Sequence, residues 1–160
     1  MSFHDPAGVR GGAHHHPVRV YYEDTDAGGV VYHANYLRFA ERARTEALRA
    51  IGVPHAELVA QHGLMFMVRR VKLDYLGPAR LDDSLLVITR PLEIGGAAVR
   101  LRQVFVRAAE PASELVAVDI QLACVRLADG RPARMPVRWR DALAAMRGQG
   151  GPEFASKGAQ

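Results

Sequence analysis

The feature that most constrains this fold is a single run of apolar residues at helical spacing, over residues 36–51. The segments that follow it are almost all strand-like. Gly52 occupies a position suited to a left-handed helix cap, and Pro54 prevents continuation. The apolar stripe is rich in small residues, which allow a curved sheet to approach closely. Its members are Tyr36, Leu37, Ala40, Ala43, Ala47, Leu48 and Ile51. The sequence therefore predicts one amphipathic helix packed against a sheet.

The segment before the helix predicts a short strand. Residues 17–24, PVRVYYED, alternate so that Val18, Val20 and Tyr22 share one face. Residues 1–16 are rich in Gly, His and Pro, and residues 148–160 show no period, so both predict disordered tails. The domain is then expected to span residues 17–147.

The segments after the helix predict a second short helix, PHAELVAQHG, then four strands of antiparallel character and a terminal helix. Arg69 and Arg70 break the alternation of the first of these strands, which indicates a bulge. Gly95 and Gly96 separate two alternating runs and predict a hairpin tip. Because no βαβ alternation occurs, the pattern indicates an α+β fold with an antiparallel sheet.

Composition excludes several functional classes. The chain of 160 residues has no apolar run of roughly 20 residues, the length that a membrane span needs. Its formal charge of +4 suits a phosphate-bearing ligand but is weak for nucleic-acid binding. Cys124 is the single cysteine, and its position within a strand indicates packing. His14, His15 and His16 fall in the predicted tail, so we expect no metal site there.

Two motifs carry a resemblance to a known family. They are VYYEDTDAGGVVYHANYLRFAERARTEAL at residues 20–48 and YLGPARLDDSLLV at residues 75–87. With the matching strand order, the chain over residues 17–138 resembles the hotdog-fold acyl-CoA thioesterases. Within these it is similar to the 4-hydroxybenzoyl-CoA thioesterase class and its Tol–Pal-associated branch.

The resemblance implies a five-stranded antiparallel sheet wrapped around one long central helix. It implies hydrolysis of an acyl thioester without a metal or a tightly bound cofactor, in a homodimer or homotetramer. The cytoplasmic location is predicted from the residues, since the chain has a single cysteine and its first residues contain no apolar stretch typical of a secretory signal. The substrate would be an acyl-CoA, with an acyl carrier protein as a further partner. Neither nucleic acid nor a membrane span is expected.

A carboxylate is the remaining candidate for the chemistry, because the chain has no G-x-S-x-G elbow. In the family pattern the second Asp of D-x-D is catalytic, and it falls on Asp26. Asp26 would attack the thioester carbonyl as a nucleophile or act as general base for water. From the residues alone, an Asp before glycines is more simply a turn residue that bonds its own backbone, and it is the motif match that favours catalysis.

The start of the helix offers a place for the oxyanion. Its first N–H groups lack intrahelical partners, and the helix dipole favours negative charge there. The family places the carbonyl at this end, so the backbone amides of His33 and Ala34 are the candidates. Gly28 and Gly29 would allow close approach of the ligand. The resemblance gives His33 a role in orienting substrate or water or in tuning Asp26; a plain local hydrogen bond is the alternative.

Other polar residues near the motif predict supporting roles. Asp24 is expected to hold the loop, and Asn35 to cap the helix or contact the loop. Further along the helix, Glu41, Arg42, Arg44 and Glu46 indicate weak surface ion pairs.

The phosphates of CoA call for cationic side chains at the site mouth. The candidates form one cluster of Arg69, Arg70, Lys72 and Arg80, and a second of Arg131 and Arg134. A solvated basic face is the competing interpretation. In a hotdog dimer the pocket lies between subunits, so the sequence does not pair these cations with phosphates.

Three functional hypotheses follow from the sequence. The first is an acyl-CoA thioesterase that uses Asp26 and His33. The second is an envelope-associated hotdog module that binds acyl-CoA or an acyl carrier protein without turnover. The third is a hotdog dehydratase or hydratase, which also uses an acid and a histidine but generally shows a different motif.

Overall fold

A computed structural model of the chain describes residues 7–148 and shows a long helix packed on one face of an antiparallel sheet. The elements are β1 (Gly8–Arg10), β2 (Ala13–Arg19), α1 (Asn35–Ala50), α2 (His55–His62), β3 (Leu64–Tyr75), β4 (Ser84–Ile94), β5 (Ala98–Arg107), β6 (Glu110–Arg126) and α3 (Val137–Gly148). The strand order in the sheet is β1-β2-β4-β5-β6-β3, so β3 lies at one edge.

The core lies between α1 and the sheet. The small residues of the α1 stripe are completely or almost completely buried, as the predicted close approach requires. Strands β4 and β5 alternate between buried and half-buried positions, which is the pattern of a sheet with one face on the core. Helix α3 closes one end of this core with Trp139, Leu143 and Met146, the three residues of its predicted stripe.

Several predicted boundaries are confirmed. Helix α1 begins at Asn35, one residue before the predicted repeat, and Gly52 has the positive φ of 80° expected of its cap. The register between β3 and β6 shifts between Val68 and Arg70, which is the predicted bulge. Cys124 is buried within β6, in agreement with a packing role.

The prediction of a disordered tail is wrong for residues 8–16. Strands β1 and β2 form a hairpin here, and Gly11 and Gly12 turn the chain with φ of 61° and 76°. The sequence of β2 shows no alternation of apolar and polar residues because the inward-facing His14, which is 3% exposed, is polar. The short strand β1 makes the sheet six-stranded where five strands were expected. Residues 1–6 and 149–160, which complete the two predicted tails, lie outside the described residues.

The strand predicted over residues 17–24 is wrong at its end. Strand β2 ends at Arg19, and residues Tyr22–Asp24 form a 3₁₀ turn. Tyr22 is therefore 83% exposed, whereas Val20 is completely buried. The cause is local: the Asp24 carboxylate accepts a hydrogen bond from the Tyr21 backbone N–H at 2.8 Å and bends the chain out of the strand.

Two positions of α1 also differ from prediction. Leu37, assigned to the buried stripe, is 41% exposed. Arg44, assigned to a surface ion pair, is 9% exposed and donates to Oε1 of Gln103 at 3.0 Å. The ion pair that does form on this helix joins Arg49 to Glu46. Among residues 7–148, the helices are too short or too polar to cross a membrane.

Candidate active site

The loop before α1 is a tight hairpin with Asp26 at its tip. Thr25 bridges Val31 across the hairpin, and the Asp26 backbone N–H donates to the Val30 carbonyl at 2.9 Å. Oδ1 of the Asp26 side chain accepts the Gly28 N–H at 2.8 Å. Oδ2 accepts no hydrogen bond from the described residues, and the side chain is exposed. The hairpin therefore fixes the carboxylate through one oxygen and presents the other.

The glycine pair fits this geometry at both positions. Gly29 has φ of 75°, a conformation that side chains with a Cβ rarely adopt. A Cβ on Gly28 would lie 3.3 Å from Oδ1 of Asp26, closer than most real contacts of this kind. Side chains at these positions would therefore strain the turn or displace the carboxylate.

Asp24 joins the hairpin to the helix. Its carboxylate accepts from the Tyr21 backbone N–H and from Nδ2 of Asn35, both at 2.8 Å. Its carbonyl accepts the Tyr32 N–H at 2.9 Å. Asn35 thus contacts the loop and does not cap the helix, whose first turn lacks a side-chain cap. These contacts hold the loop against the helix start, in the position predicted for Asp24.

The start of α1 exposes backbone donors beside this hairpin. Among the residues that the structure describes, none accepts a hydrogen bond from the N–H of His33 or of Ala34. Both residues are exposed, and Ala34 directly precedes the helix. The His33 ring packs on Tyr32 with centroids 4.5 Å apart and shares no hydrogen bond with Asp26. The arrangement can accept a developing negative charge at the helix start.

Comparisons with known proteins identify the family of the chain. The family model described as the thioesterase-like superfamily matches residues 20–146. The chain belongs to the thioesterase-like superfamily.

Relatives of known description support this membership. The acyl-CoA thioesterase YbgC of Haemophilus influenzae is 45% identical over 120 residues, which cover 75% of this chain and 86% of that protein. The acyl-CoA thioester hydrolase YbgC of Escherichia coli O6:H1 is 42% identical over 75% of this chain and 87% of its own length. A crystal structure of a probable thioesterase from Bartonella henselae superposes with a TM-score of 0.72 at 35% identity, covering 78% of this chain and 99% of that one. The predicted resemblance to hotdog thioesterases is confirmed.

Only one of the first four cationic candidates lies beside the hairpin of this thioesterase-like domain. Arg80 forms a β-bridge with Val30, and the neighbouring Ala79 carbonyl accepts the Val31 N–H at 2.9 Å. Arg80 is exposed, and within residues 7–148 its guanidinium forms no ion pair. It is therefore free to meet a phosphate.

The other cations are spread along the sheet. Arg69, Arg70 and Lys72 are exposed on β3, which reaches the helix start only at its last residue, Tyr75. At a rise of about 3.3 Å per residue, Lys72 lies about 10 Å and Arg69 about 20 Å from Tyr75 along the strand. Arg131 and Arg134 follow the end of β6, which pairs with the opposite end of β3. The structure does not gather the predicted clusters.

A cavity of about 300 Å³ lies elsewhere in the domain, between α1, α2 and the sheet. Leu48, Phe66 and other apolar residues form most of its lining, together with Glu41, Arg44 and His55. Burial, with the Arg44 charge second, lowers the pKa of His55, so the imidazole is neutral at pH 7. The size and apolar lining suit a small acyl group.

Sequence reasoning missed two features of this region. One is the buried hydrogen-bond network of Arg44, Gln103 and Thr89. The sequence does contain a sign of it, because Gln103 is a polar residue on the same strand face as the apolar Leu101 and Phe105. The other is the contact of Tyr75 with the helix start, which joins residues far apart in sequence. No local pattern indicates that contact.

The histidine triplet does not assemble a metal site in the described part of the chain. No group of three or more His, Cys, Asp or Glu side chains within residues 7–148 has suitable geometry. His14 is buried, and desolvation, followed by the charges of His16 and His15, lowers its pKa to about 4. His14 thus serves as a neutral core residue.

Proposed function

We propose that this protein hydrolyses acyl-CoA thioesters, with Asp26 as the catalytic carboxylate. The observation that carries the proposal lies within residues 7–148: one oxygen of Asp26 has no hydrogen-bond partner there, and the hairpin holds it beside two N–H groups at the start of α1 that also lack one. Relatives described as acyl-CoA thioesterases support the choice of substrate. Asp26 supplies the carboxylate, and the N–H groups of His33 and Ala34 bind the oxyanion.

Two chemical courses fit this geometry. As a nucleophile, Oδ2 of Asp26 bonds to the thioester carbon, the C–S bond breaks, and CoA leaves as a thiolate that takes a proton from solvent. Water then hydrolyses the resulting mixed anhydride. As a general base, Asp26 takes a proton from water while that water attacks the carbon directly. The tetrahedral intermediate then collapses, the C–S bond breaks, and the departing CoA thiolate takes up the proton. In both courses His33 orients the water or the substrate.

The test is thiol release from short, long and aromatic acyl-CoAs by wild type and by Asp26→Asn. We expect wild type to release CoA, and the substitution to lower kcat by about 100-fold or more. Glu23→Gln is the matched control, because Glu23 lies on the same loop and its carboxylate bonds none of the described residues. It should stay within about twofold, as a solvated surface charge does.

Three results contradict the proposal or redirect it. Equal activity of Asp26→Asn and wild type removes Asp26 from the chemistry. Tight acyl-CoA binding without release of thiol by any panel member indicates a non-catalytic binding module. Turnover of enoyl-CoA or 3-hydroxyacyl-CoA without thiol release indicates a hydratase.

We further propose a homodimer through the edge strand β3. Its outer edge has no partner among residues 7–148, and its exposed apolar side chains include Met67, Val68 and Val71. Two antiparallel copies place the end of one β3 beside the start of the other. The cavity lies beside the start of β3, and the start of α1 lies beside the end of β3. In the dimer, the cavity of one subunit would therefore approach the Asp26 hairpin of the other.

The dimer is tested with Val71→Lys, which adds charge to the unpaired edge. We expect light scattering to report a dimer for wild type and a folded monomer with little activity for the variant. A fully active monomer would contradict the shared site. A tetramer, an acyl carrier protein as partner, association with a Tol–Pal system and a cytoplasmic location stay predictions from the sequence.

Arg80 is proposed to contact a CoA phosphate. Arg80→Ala should raise KM for acyl-CoA by about tenfold, the loss of one charge-assisted contact, without changing KM for the matching acyl-pantetheine. Arg10→Ala, on β1 at the sheet edge opposite β3, serves as the control. Equal effects of the two substitutions would remove Arg80 from the phosphate site.

A further inference from the structure

Tyr75 connects the end of β3 to the start of α1 through one hydrogen bond. Its hydroxyl donates to the His33 carbonyl oxygen at 2.8 Å. The ring packs edge-on against Tyr36 with centroids 5.8 Å apart. Desolvation raises the pKa of Tyr75, so the group keeps its proton and donates throughout the neutral range.

The His33 carbonyl has no donor in the helix. The carbonyl before it, from Tyr32, accepts the Asn35 N–H at 2.8 Å, and the carbonyl after it, from Ala34, accepts the Leu37 N–H at 3.2 Å. Among the described residues, only the Tyr75 hydroxyl donates to the His33 carbonyl. The orientation of the peptide between His33 and Ala34 therefore depends on Tyr75 and not on the helical ladder.

The same peptide carries the Ala34 N–H. In a planar trans peptide, the carbonyl and the following N–H point in opposite directions. A donor that holds the His33 carbonyl on the β3 side therefore directs the Ala34 N–H away from β3. A hydrogen bond to a carbonyl also polarises its amide and strengthens the N–H as a donor. The Ala34 N–H itself has no partner within residues 7–148.

We propose that Tyr75 is a positioning residue that orients and polarises the peptide between His33 and Ala34, so that the Ala34 N–H stabilises the thioester oxyanion. The inference rests on the proposed thioesterase function and adds a residue from a different element to it. Tyr75 does not touch the substrate in this arrangement. It acts on the oxyanion through the peptide.

The experiment compares Tyr75→Phe with Tyr36→Phe. Tyr36 is the matched control because its hydroxyl also bonds backbone, accepting the buried Ala79 N–H at 3.1 Å, but not the peptide at the helix start. For each variant, kcat and KM are measured with the best acyl-CoA of the panel. The melting temperature and the Kd of a thioether analogue, which forms no oxyanion, are measured alongside.

We expect Tyr75→Phe to lower kcat by about tenfold, since a misaligned oxyanion donor loses part of the 10²–10³-fold effect of a deleted one. KM and the Kd of the thioether should stay within about twofold, because the ground state does not use the donor. Tyr36→Phe should lower the melting temperature more than Tyr75→Phe does and leave kcat per folded molecule unchanged.

Three results would overturn the positioning role of Tyr75. An active wild type with an unchanged kcat in Tyr75→Phe overturns the positioning role and leaves the proposed function standing. A loss of kcat that parallels a loss of folded protein, or a matching rise in the Kd of the thioether, also overturns it. A wild type that releases no thiol overturns the proposed function and this inference together.

Discussion

The buried network around Gln103 gives the sharpest prediction of stability. Gln103 is completely buried, and its Oε1 accepts from Arg44 at 3.0 Å. Its Nε2 donates to the Ala40 carbonyl at 2.9 Å and to the Thr89 hydroxyl at 3.0 Å. Gln103→Leu keeps the volume nearly constant and removes all three bonds, so it isolates the polar contribution.

The size of the stability loss in Gln103→Leu follows from the buried groups that lose their hydrogen-bond partner. Arg44 loses the acceptor of a charged donor, a cost of about 1.5–3 kcal/mol, and the buried Thr89 hydroxyl adds about 1 kcal/mol. The Ala40 carbonyl stays in the helical ladder of α1 and adds little. Water in the adjoining cavity can partly solvate Arg44, which lowers the sum. We expect a loss of about 3 kcal/mol, or about 6–12 °C in Tm for a chain of this size.

The assay is urea unfolding at fixed protein concentration, with Gln121→Leu on the exposed face of β6 as control. The control should change the free energy of unfolding by less than about 0.5 kcal/mol. The triple variant Gln103→Leu, Arg44→Met, Thr89→Val should recover most of the loss, because no buried group is left unpaired. Equal effects of Gln103→Leu and Gln121→Leu, or a triple variant weaker than the single one, would refute the reasoning.

Three further predictions concern the hairpin and the N-terminal strands. Asp24→Ala should lower the free energy of unfolding by about 1–2 kcal/mol, because two hydrogen bonds of its carboxylate are lost. Glu23→Ala should lower it by less than about 0.5 kcal/mol, and equal urea midpoints of the two variants would contradict this. Gly29→Ala should lower the free energy of unfolding by about 1 kcal/mol, because the φ of Gly29 is 75°. Gly28→Ala should mainly lower kcat, because its Cβ meets the Asp26 carboxylate. A larger loss of kcat in Gly29→Ala and a larger loss of stability in Gly28→Ala would contradict this. His14 has a folded pKa of about 4 against an ordinary 6.5, so the unfolded chain binds the proton first as the pH falls, and stability should decline between about pH 6.5 and 4. Unfolding free energies measured across that range should decline less steeply in His14→Gln, and an unchanged slope would contradict the assignment.

The parts of the fold that the sequence predicted are those set by a local period. Helix α1 and strands β4 and β5 bury a repeating face, and that repeat is visible in the sequence. Two of the errors arose where a polar residue takes a buried position. His14 in β2 and Arg44 in α1 are buried, and a pattern of apolar residues does not register them. Their positions depend on tertiary packing that no short window contains.

The site shows the same division. The hairpin, its glycines and the helix start are consecutive in the chain, so one motif indicates them together. Arg80 and Tyr75 reach this site from other elements, through a β-bridge to Val30 and a hydrogen bond to His33. Proximity in sequence grouped Arg80 with Arg69 and Arg70, but the extended strand β3 carries those two away from the hairpin. A strand separates neighbours that a loop would keep together.

The geometry of the hairpin distinguishes its three acids. Within the described residues, the Glu23 carboxylate bonds nothing, and Asp24 uses both of its oxygens to hold Tyr21 and Asn35. Asp26 uses one oxygen for the Gly28 N–H and leaves the other open. A carboxylate with both oxygens engaged would have to break a bond before it could attack carbon or take a proton, whereas a loosely held one would lose orientation. Asp26 alone of the three combines a fixed direction with a free oxygen, and both courses of thioester hydrolysis require that combination.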